Sequence, residues 1–141
     1  MKHKTGGCAC RQVTYAYTGE PLNTVFCYCK QCQLHTGSDK WFGVWAHKDN
    51  FTFTKGMPAT YVRVGDSGRK TRYNFCQTCG VTVCAEIEVG NFYSISASTL
   101  DNQTGLKPAM LIYTAYAPAW ASLPEDIPNF DILPPFLTEH L

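Results

Sequence analysis

Apolar residues recur at every second position over much of this chain. After the first pair of cysteines, Val13, Tyr15 and Tyr17 alternate with smaller or more polar residues, which is the period of a strand with one buried face. The runs at 41–46 and 51–55 are rich in the aromatic residues that favour strands. These segments predict strands rather than helices.

Turn-forming residues divide the rest of the chain into hairpins. Gly90-Asn91 stands between two strand-like runs and is the strongest two-residue hairpin signal in the sequence. Several prolines near the C-terminus favour an extended path there. The further predictions are strands at 60–64 and 70–75 around a loop at 65–68, strands at 81–89 and 92–98, a last strand at 111–115 and one helical turn at 119–123. The pattern therefore predicts an all-β fold.

Composition places the chain among globular domains. Its 141 residues suit a single domain, 1–141, and a hydrophobic share of 45% with a charged share of 16% excludes intrinsic disorder. The formal net charge is only +1, whereas phosphate-rich partners are held by a basic excess. The most apolar stretch, 108–124, is interrupted by proline and too short for a bilayer. We therefore expect neither a nucleic-acid partner nor a membrane partner.

Cysteine is the residue type that exceeds ordinary usage, at 8 of 141 positions. The first residues contain no apolar run of the length that export requires, so we expect a cytoplasmic location, where thiols stay reduced. Four disulfides are the alternative, but they fit that location poorly.

Seven of the cysteines fall into three close clusters, each with a spacing that points neighbouring sulfurs at one metal ion. The clusters are a C-x-C pair, a C-x-C-x-x-C triple and a C-x-x-C-G pair: Cys8 and Cys10; Cys27, Cys29 and Cys32; Cys76 and Cys79 with Gly80. In C-x-C on an extended segment both sulfurs project to the same side, and in C-x-x-C-G the glycine supplies the positive φ of a tight turn. Three such clusters in one short chain predict zinc.

The seven thiols divide naturally into four and three. The two pairs come from distant segments and together supply the four ligands of a closed structural zinc. The triple is local, follows a strand and leaves one position of a tetrahedral zinc open, as in catalytic sites. His35, three residues after Cys32, could instead close the triple, which would make both metals structural. We expect two zinc ions per chain, with the triple as the candidate for function.

The charge of the triple indicates its chemistry. Zinc with three thiolates carries one net negative charge, so it activates water less well than zinc with neutral ligands. Zinc is thiophilic, and a coordinated thiol loses its proton. The triple therefore favours the addition of a thiol to a carbonyl compound over hydrolysis.

These clusters and their surroundings resemble the glutathione-dependent formaldehyde-activating enzyme family. The resemblance rests on the segments 7–15, 27–32 with Gly37, 75–80, 118–120 and 127–130. It implies a β-tent fold of several short antiparallel sheets held by structural zinc, and a carbon–sulfur lyase reaction that joins glutathione to formaldehyde. The zinc ligands that it implies are Cys8, Cys10, Cys76 and Cys79 for the structural ion and Cys27, Cys29 and Cys32 for the catalytic ion.

The sequence departs from the family pattern at three places. Leu111 precedes Ile112 where the family commonly has histidine, Asn102-Gln103 stands where Asp-Pro is common, and Arg72 lies farther from the third cluster than the usual arginine. These changes leave the zinc ligands in place and concern the substrate. Glutathione is anionic, so we expect cationic partners for it. The candidates are Arg11, Lys30, Lys40, Arg63, Arg69, Lys70 and Arg72.

Two other functions fit parts of the sequence. In one, both zinc ions are structural and the domain binds a ligand or a protein without turnover. In the other, Cys84 is a redox nucleophile. Glu86 and Glu88 share its face of the predicted strand and would raise the pKa of its thiol, so we expect Cys84 to be inert.

Overall fold

Short strands dominate the residues that the computed structural model describes, which are 3–65 and 68–135. The strands are β1 (His3–Gly7), β2 (Thr14–Thr18), β3 (Asn23–Cys27), β4 (Trp41–His47), β5 (Phe51–Lys55), β6 (Ala59–Val64), β7 (Lys70–Phe75), β8 (Thr82–Ile87), β9 (Phe92–Ser96) and β10 (Met110–Ile112). The described helical elements are α1 (Lys30–Thr36) and the 3-10 turns Lys48–Asn50, Ala97–Thr99 and Thr114–Tyr116. The predicted all-β class is confirmed.

The strands form two sheets. A three-stranded sheet has the order β1-β2-β5, and a seven-stranded sheet has the order β10-β3-β4-β9-β8-β7-β6. Neighbouring strands are antiparallel, except that β10 runs parallel to β3. Because β3 lies between β10 and β4, the end of this strand, Cys27, is held on both sides by backbone pairing, opposite Ile112 and Trp41.

The main core joins the two sheets. Tyr15 and Tyr17 of β2 and Phe51 of β5 pack in one cluster with Val44 of β4 and Ile95 of β9. The alternation that predicted β2 is thus the pattern of a face buried against a second sheet. A separate cluster around Trp41 and Tyr73 receives Cys32, which places α1 against the seven-stranded sheet.

Sequence patterning predicted several strands correctly. The segment 51–55 is β5, and the predicted hairpin of 60–64 and 70–75 is formed by β6 and β7, paired from Ala59 opposite Phe75 to Val64 opposite Lys70. Its predicted loop is 65–68, of which residues 66 and 67 lie outside the described residues. The strand expected before the cysteine triple is β3.

Other boundaries differ from the prediction. The hairpin at Gly90-Asn91 has a four-residue loop, since Ile87 pairs with Phe92 and the Asn91 N–H donates to the Glu88 carbonyl in a turn that puts Asn91 at a φ of 54°. The predicted strand 111–115 ends at Ile112, where Tyr113 takes a φ of 56° and a 3-10 turn begins.

The helical turn predicted at 119–123 is wrong. That segment has no helix, and only a turn closes there, in which the Ala121 N–H donates to the Pro118 carbonyl. The reason is that Pro124 and Pro118 bound a stretch too short for a regular helix. The helix α1 has seven residues. No helix in the described part of the chain is long and apolar enough to cross a bilayer.

Candidate metal centres

Four cysteines from distant parts of the chain meet at one point. Cys8 and Cys10 lie in the connection from β1 to β2, and Cys76 and Cys79 lie in the connection from β7 to β8. All four Sγ atoms lie within 4.8 Å of one another. The Cys10 Sγ is 3.6 Å from the Cys76 Sγ, which is 66 residues away along the chain. This four-thiol cluster therefore connects the three-stranded sheet with the seven-stranded sheet.

Each pair of the four-thiol cluster lies in a tight turn whose backbone N–H groups point at sulfur. The Val13 N–H donates to the Cys8 Sγ at 3.4 Å, and the Cys79 N–H donates to the Cys76 Sγ at 3.5 Å. Gly80 has a φ of 77°, and its N–H donates to the Cys76 carbonyl at 2.8 Å. The positive φ predicted for Gly80 is confirmed.

The backbone also favours the ionised form of sulfur in this cluster. Hydrogen bonds from the backbone of Val81 and then of Cys10 lower the pKa of Cys79 to about 6. Since zinc binds thiolates, such N–H groups prepare the site for the metal. The donor set, its closeness and these N–H groups together fit a closed tetrathiolate zinc site.

The remaining three clustered thiols surround the start of α1. Cys27 ends β3, Cys29 is the N-cap of α1, and Cys32 lies in its first turn. Their Sγ atoms also lie within 4.8 Å of one another. The Cys32 N–H donates to the Cys29 Sγ at 3.4 Å. This three-thiol cluster is half-buried.

Hydrogen bonding within the three-thiol cluster concentrates negative charge on one sulfur. The thiols of Cys27 and then of Cys32 lower the pKa of Cys29, whereas those of Cys27 and then of Cys29 raise the pKa of Cys32. A metal ion would supply the charge that ionises all three, and the all-sulfur donor set suits zinc.

His35 does not join the three-thiol cluster. The group of ligand atoms that lie within 4.8 Å of one another contains the three sulfurs and no histidine nitrogen. The His35 ring instead stacks on Tyr73, with centroids 3.6 Å apart and planes at 17°. Burial, and next the charge of Arg63, lowers the pKa of His35. In this structure the possible Cys3His arrangement is therefore not formed, and the fourth position of a tetrahedral metal stays free of His35.

Both predicted sets of thiols are thus brought together, as four and as three. Cysteines 8, 10, 27, 29, 32, 76, 79 and 84 all carry free thiols, so the disulfide alternative is not seen. The two clusters could hold one metal ion each.

Three of the seven predicted cations lie within 4.0 Å of a carboxylate. The Arg11 Nη1 is 2.9 Å from Asp101, the Lys40 Nζ is 3.1 Å from Asp39, and the Arg72 Nε is 3.6 Å from Glu86. Arg63 differs from these, because its charge acts on Cys29, Cys32, His35 and Tyr113.

The sequence analysis missed the tyrosines beside the cluster. Tyr73 and Tyr61 are opposite each other in the β6–β7 hairpin, and Tyr113 is close enough for Cys27 and Cys29 to raise its pKa, after the larger effect of burial. A signal for the first two was present, since pairing the end of the predicted strand 60–64 with the start of the predicted strand 70–75 places residue 61 opposite residue 73. No local signal places Tyr113, because its position depends on the parallel pairing of β10 with β3.

Cys84 lies outside both clusters. It is fully buried in the main core. Burial raises the pKa of its thiol, and the nearby charge of Glu86 raises it further. The expectation of an inert Cys84 agrees with this environment, although burial rather than the glutamate is the main cause.

Comparison with known proteins gives a family and a fold. Residues 3–116 match the family model described as glutathione-dependent formaldehyde-activating enzyme. A crystal structure of a Rhodobacter sphaeroides protein matches with a TM-score of 0.56 and 19% identity, covering 74% of this chain and 91% of that chain. At this identity the match shows a shared fold alone. No protein of curated function matches the chain.

Proposed function

This chain belongs to the glutathione-dependent formaldehyde-activating enzyme family, and we propose that it is a zinc-dependent carbon–sulfur lyase-type enzyme acting on thiol adducts of a small aldehyde. The thiol is glutathione or a glutathione-like molecule, and the adduct is of the S-hydroxymethyl type. The observation that carries this proposal is the three-thiol cluster, which contains no histidine nitrogen, while the His35 ring stacks on Tyr73.

The two clusters have different roles in this proposal. Cys8, Cys10, Cys76 and Cys79 hold a structural zinc, because they connect two sheets and use all four positions. Cys27, Cys29 and Cys32 hold the catalytic zinc, with one position left for a guest. Zinc bound there keeps a guest thiol ionised near neutral pH.

The protein contributes fixed geometry around that guest. Cys27 is held by pairing on both sides of β3, and Cys32 packs against the cluster of Trp41 and Tyr73. Sulfurs on such rigid elements keep the guest position constant relative to the side chains around it. In the forward reaction the guest thiol releases its proton to water, its sulfur bonds to the carbonyl carbon, the carbonyl π bond breaks, and the carbonyl oxygen takes up one proton from water.

Exchange spectroscopy by NMR tests this reaction directly. We expect the zinc-loaded protein to accelerate the exchange between hydrated formaldehyde and S-hydroxymethylglutathione above the rate in buffer. Cys29→Ser should lose the acceleration, because it removes a ligand of the catalytic zinc. Cys84→Ser is the matched control and should keep it, since the Cys84 thiol belongs to neither group of candidate ligands.

A wild-type protein that holds two zinc ions, yet leaves the exchange at the buffer rate, would contradict the enzymatic proposal for these substrates. If the same protein still bound thiols, the domain would instead be a binding module.

A further inference from the structure

Arg63 faces the three-thiol cluster from the edge of the seven-stranded sheet. It lies on β6, opposite Thr71 of β7, and two positions along the strand Tyr61 lies opposite Tyr73. Residues two apart on a strand project to the same side, so Arg63 shares a face with Tyr61. The helix α1 lies on that face, because His35 stacks on Tyr73.

The charge of Arg63 reaches the sulfurs. Burial lowers the pKa of Arg63, but a hydrogen bond to Tyr73 and the charges of Tyr73, Cys29 and Cys32 raise it overall. In return, the guanidinium offsets part of the rise in the pKa of Tyr113 that burial and the cysteines cause. Arg63 shares a sheet face with Tyr73, which packs together with Cys32 of the three-thiol cluster.

The Arg63 guanidinium has a donor with nothing to bind. Its Nε is shielded from water and has no hydrogen-bond partner within residues 3–65 and 68–135. No carboxylate in that part of the chain lies within 4.0 Å of it, whereas Arg11, Lys40 and Arg72 each have one. An unpaired buried donor is costly, and the guanidinium fork matches a carboxylate in shape and charge.

We propose that Arg63 binds a carboxylate of the guest thiol, so that the site selects thiols carrying a carboxylate over neutral thiols. This inference rests on the proposed function, because it requires a guest sulfur at the three-thiol cluster. Arg63 is a specificity-determining residue in this account and takes no part in the bond that forms at sulfur.

A different role would give a different result. If Arg63 only balanced the negative charge of three thiolates, its loss would weaken the binding of every thiol alike. The selectivity between a carboxylate thiol and its neutral counterpart separates the two roles, because an Arg63 that acts only on the sulfurs leaves the ratio unchanged, whereas one that acts on the carboxylate changes it.

The test uses the cobalt-substituted protein and two thiols that differ in one group, 3-mercaptopropionate and 3-mercaptopropan-1-ol. Visible absorption of cobalt reports binding of either thiol without any turnover. We expect the wild type to prefer the carboxylate thiol, and Arg63→Gln to lower that preference by about tenfold or more, the size of a lost charge-assisted hydrogen bond. Arg63→Lys should lose part of the preference.

Arg72→Gln is the matched control, because Arg72 is an exposed arginine on the neighbouring strand and contacts Glu86 instead. It should keep the wild-type preference. Cobalt content and near-ultraviolet circular dichroism establish that each variant is folded.

The outcomes separate this inference from the proposed function. Suppose that both thiols bind the wild type, but Arg63→Gln keeps the wild-type preference for the carboxylate thiol or changes both affinities equally. The proposed role of Arg63 is then wrong, while the proposed open metal position is unaffected. If neither thiol alters the cobalt spectrum of the wild type, the open site itself is wrong, and the role of Arg63 is overturned with it.

Discussion

Gly80 has a backbone conformation that few other residues adopt easily. Its φ of 77° closes the turn after Cys76 and Cys79, and a Cβ at this position would meet nothing within 4 Å. Replacing Gly80 therefore lowers the free energy of unfolding only through backbone strain. For an ordinary L-residue in the left-handed region that strain is roughly 1–2 kcal/mol.

Replacing Gly80 should weaken the turn in a graded way. We expect Gly80→Ala to lower the free energy of unfolding of the zinc-loaded protein by about 1–2 kcal/mol, measured by urea titration. Gly80→Asn should lose less, because asparagine tolerates the left-handed region better. Equal stability of all three proteins would contradict the role given to this glycine.

Cys84 is the cysteine that should matter least for metal and thiol binding. We expect Cys84→Ala to keep two zinc ions per chain by elemental analysis, with a loss of stability of about 1 kcal/mol from reduced core packing. Cys29→Ala, in contrast, should retain close to one zinc ion. A folded Cys84→Ala protein with fewer zinc ions than the wild type would overturn the separation of Cys84 from the clusters.

Among the elements, β1 is attached to the segment after the 3-10 turn Ala97–Thr99 by backbone pairing and by one carboxylate. Asp101 accepts hydrogen bonds from the Thr5 hydroxyl at 2.8 Å and the Arg11 guanidinium at 2.9 Å. The bond from Arg11 and then that from Thr5 lower the pKa of Asp101 below its ordinary value of 3.8. Ionised Asp101 therefore favours the folded state.

This attachment should depend on pH in a defined direction. Because the folded pKa is lowered, its contribution is complete above the ordinary carboxyl pKa and disappears as the pH falls through the folded value. We expect Asp101→Asn to lower the free energy of unfolding by up to about 1 kcal/mol at pH 7, as exposed ion pairs do, with a difference that shrinks below about pH 4. Denaturant titrations over pH 3–7 measure it.

Asp131→Asn serves as the reference for this experiment, since the Asp131 side chain forms no ion pair in the described part of the chain. A difference between Asp101→Asn and the wild type that grew toward low pH would show that the sign is wrong.

The predictability of each element follows from where its stabilising contacts lie. The strands β2 and β5 are visible in the sequence because each buries one face. The helix α1 is not, since none of its seven residues is buried; its ends are the Cys29 cap and Gly37 at a φ of 68°, and its Cys32 and His35 side chains pack against Tyr73. Strand β1 contains Gly6 and Gly7, and it forms through its pairing with β2 rather than through an apolar pattern.

The same distinction applies to the candidate site. The three close cysteine clusters could be predicted from spacing alone, because the members of each cluster are only a few residues apart in the sequence. The positions of Arg63 and Tyr73 on one sheet face, and of Tyr113 next to β3, come from strand pairing across the sheet, which the sequence does not encode locally. Choosing Arg63 among seven basic candidates therefore required the structure.

At the scale of the whole molecule, the four-thiol cluster connects the two sheets and the three-thiol cluster does not. We expect Cys76→Ser to reduce stability by several kcal/mol, within the order of 10 kcal/mol that a structural zinc contributes. Cys29→Ser should leave the unfolding midpoint near that of the wild type. Both variants lose one zinc site, so thermal unfolding monitored by circular dichroism compares the two sites directly.

If the two variants were equally stable, the division into a structural and a functional metal would be wrong. Treatment with a chelator gives a second readout. It should unfold the wild type only after the metal of the four-thiol cluster is removed.

The central claim is that the metal held by Cys27, Cys29 and Cys32 accepts one guest chalcogen atom. X-ray absorption at the zinc edge, with reduced selenoglutathione as the guest, tests it most directly because selenium is distinguishable from the cysteine sulfurs. The account predicts a zinc–selenium shell that appears in the wild type and is absent from Cys29→Ser. An unchanged all-sulfur spectrum in the wild type, at saturating selenoglutathione and two zinc ions per chain, would contradict it.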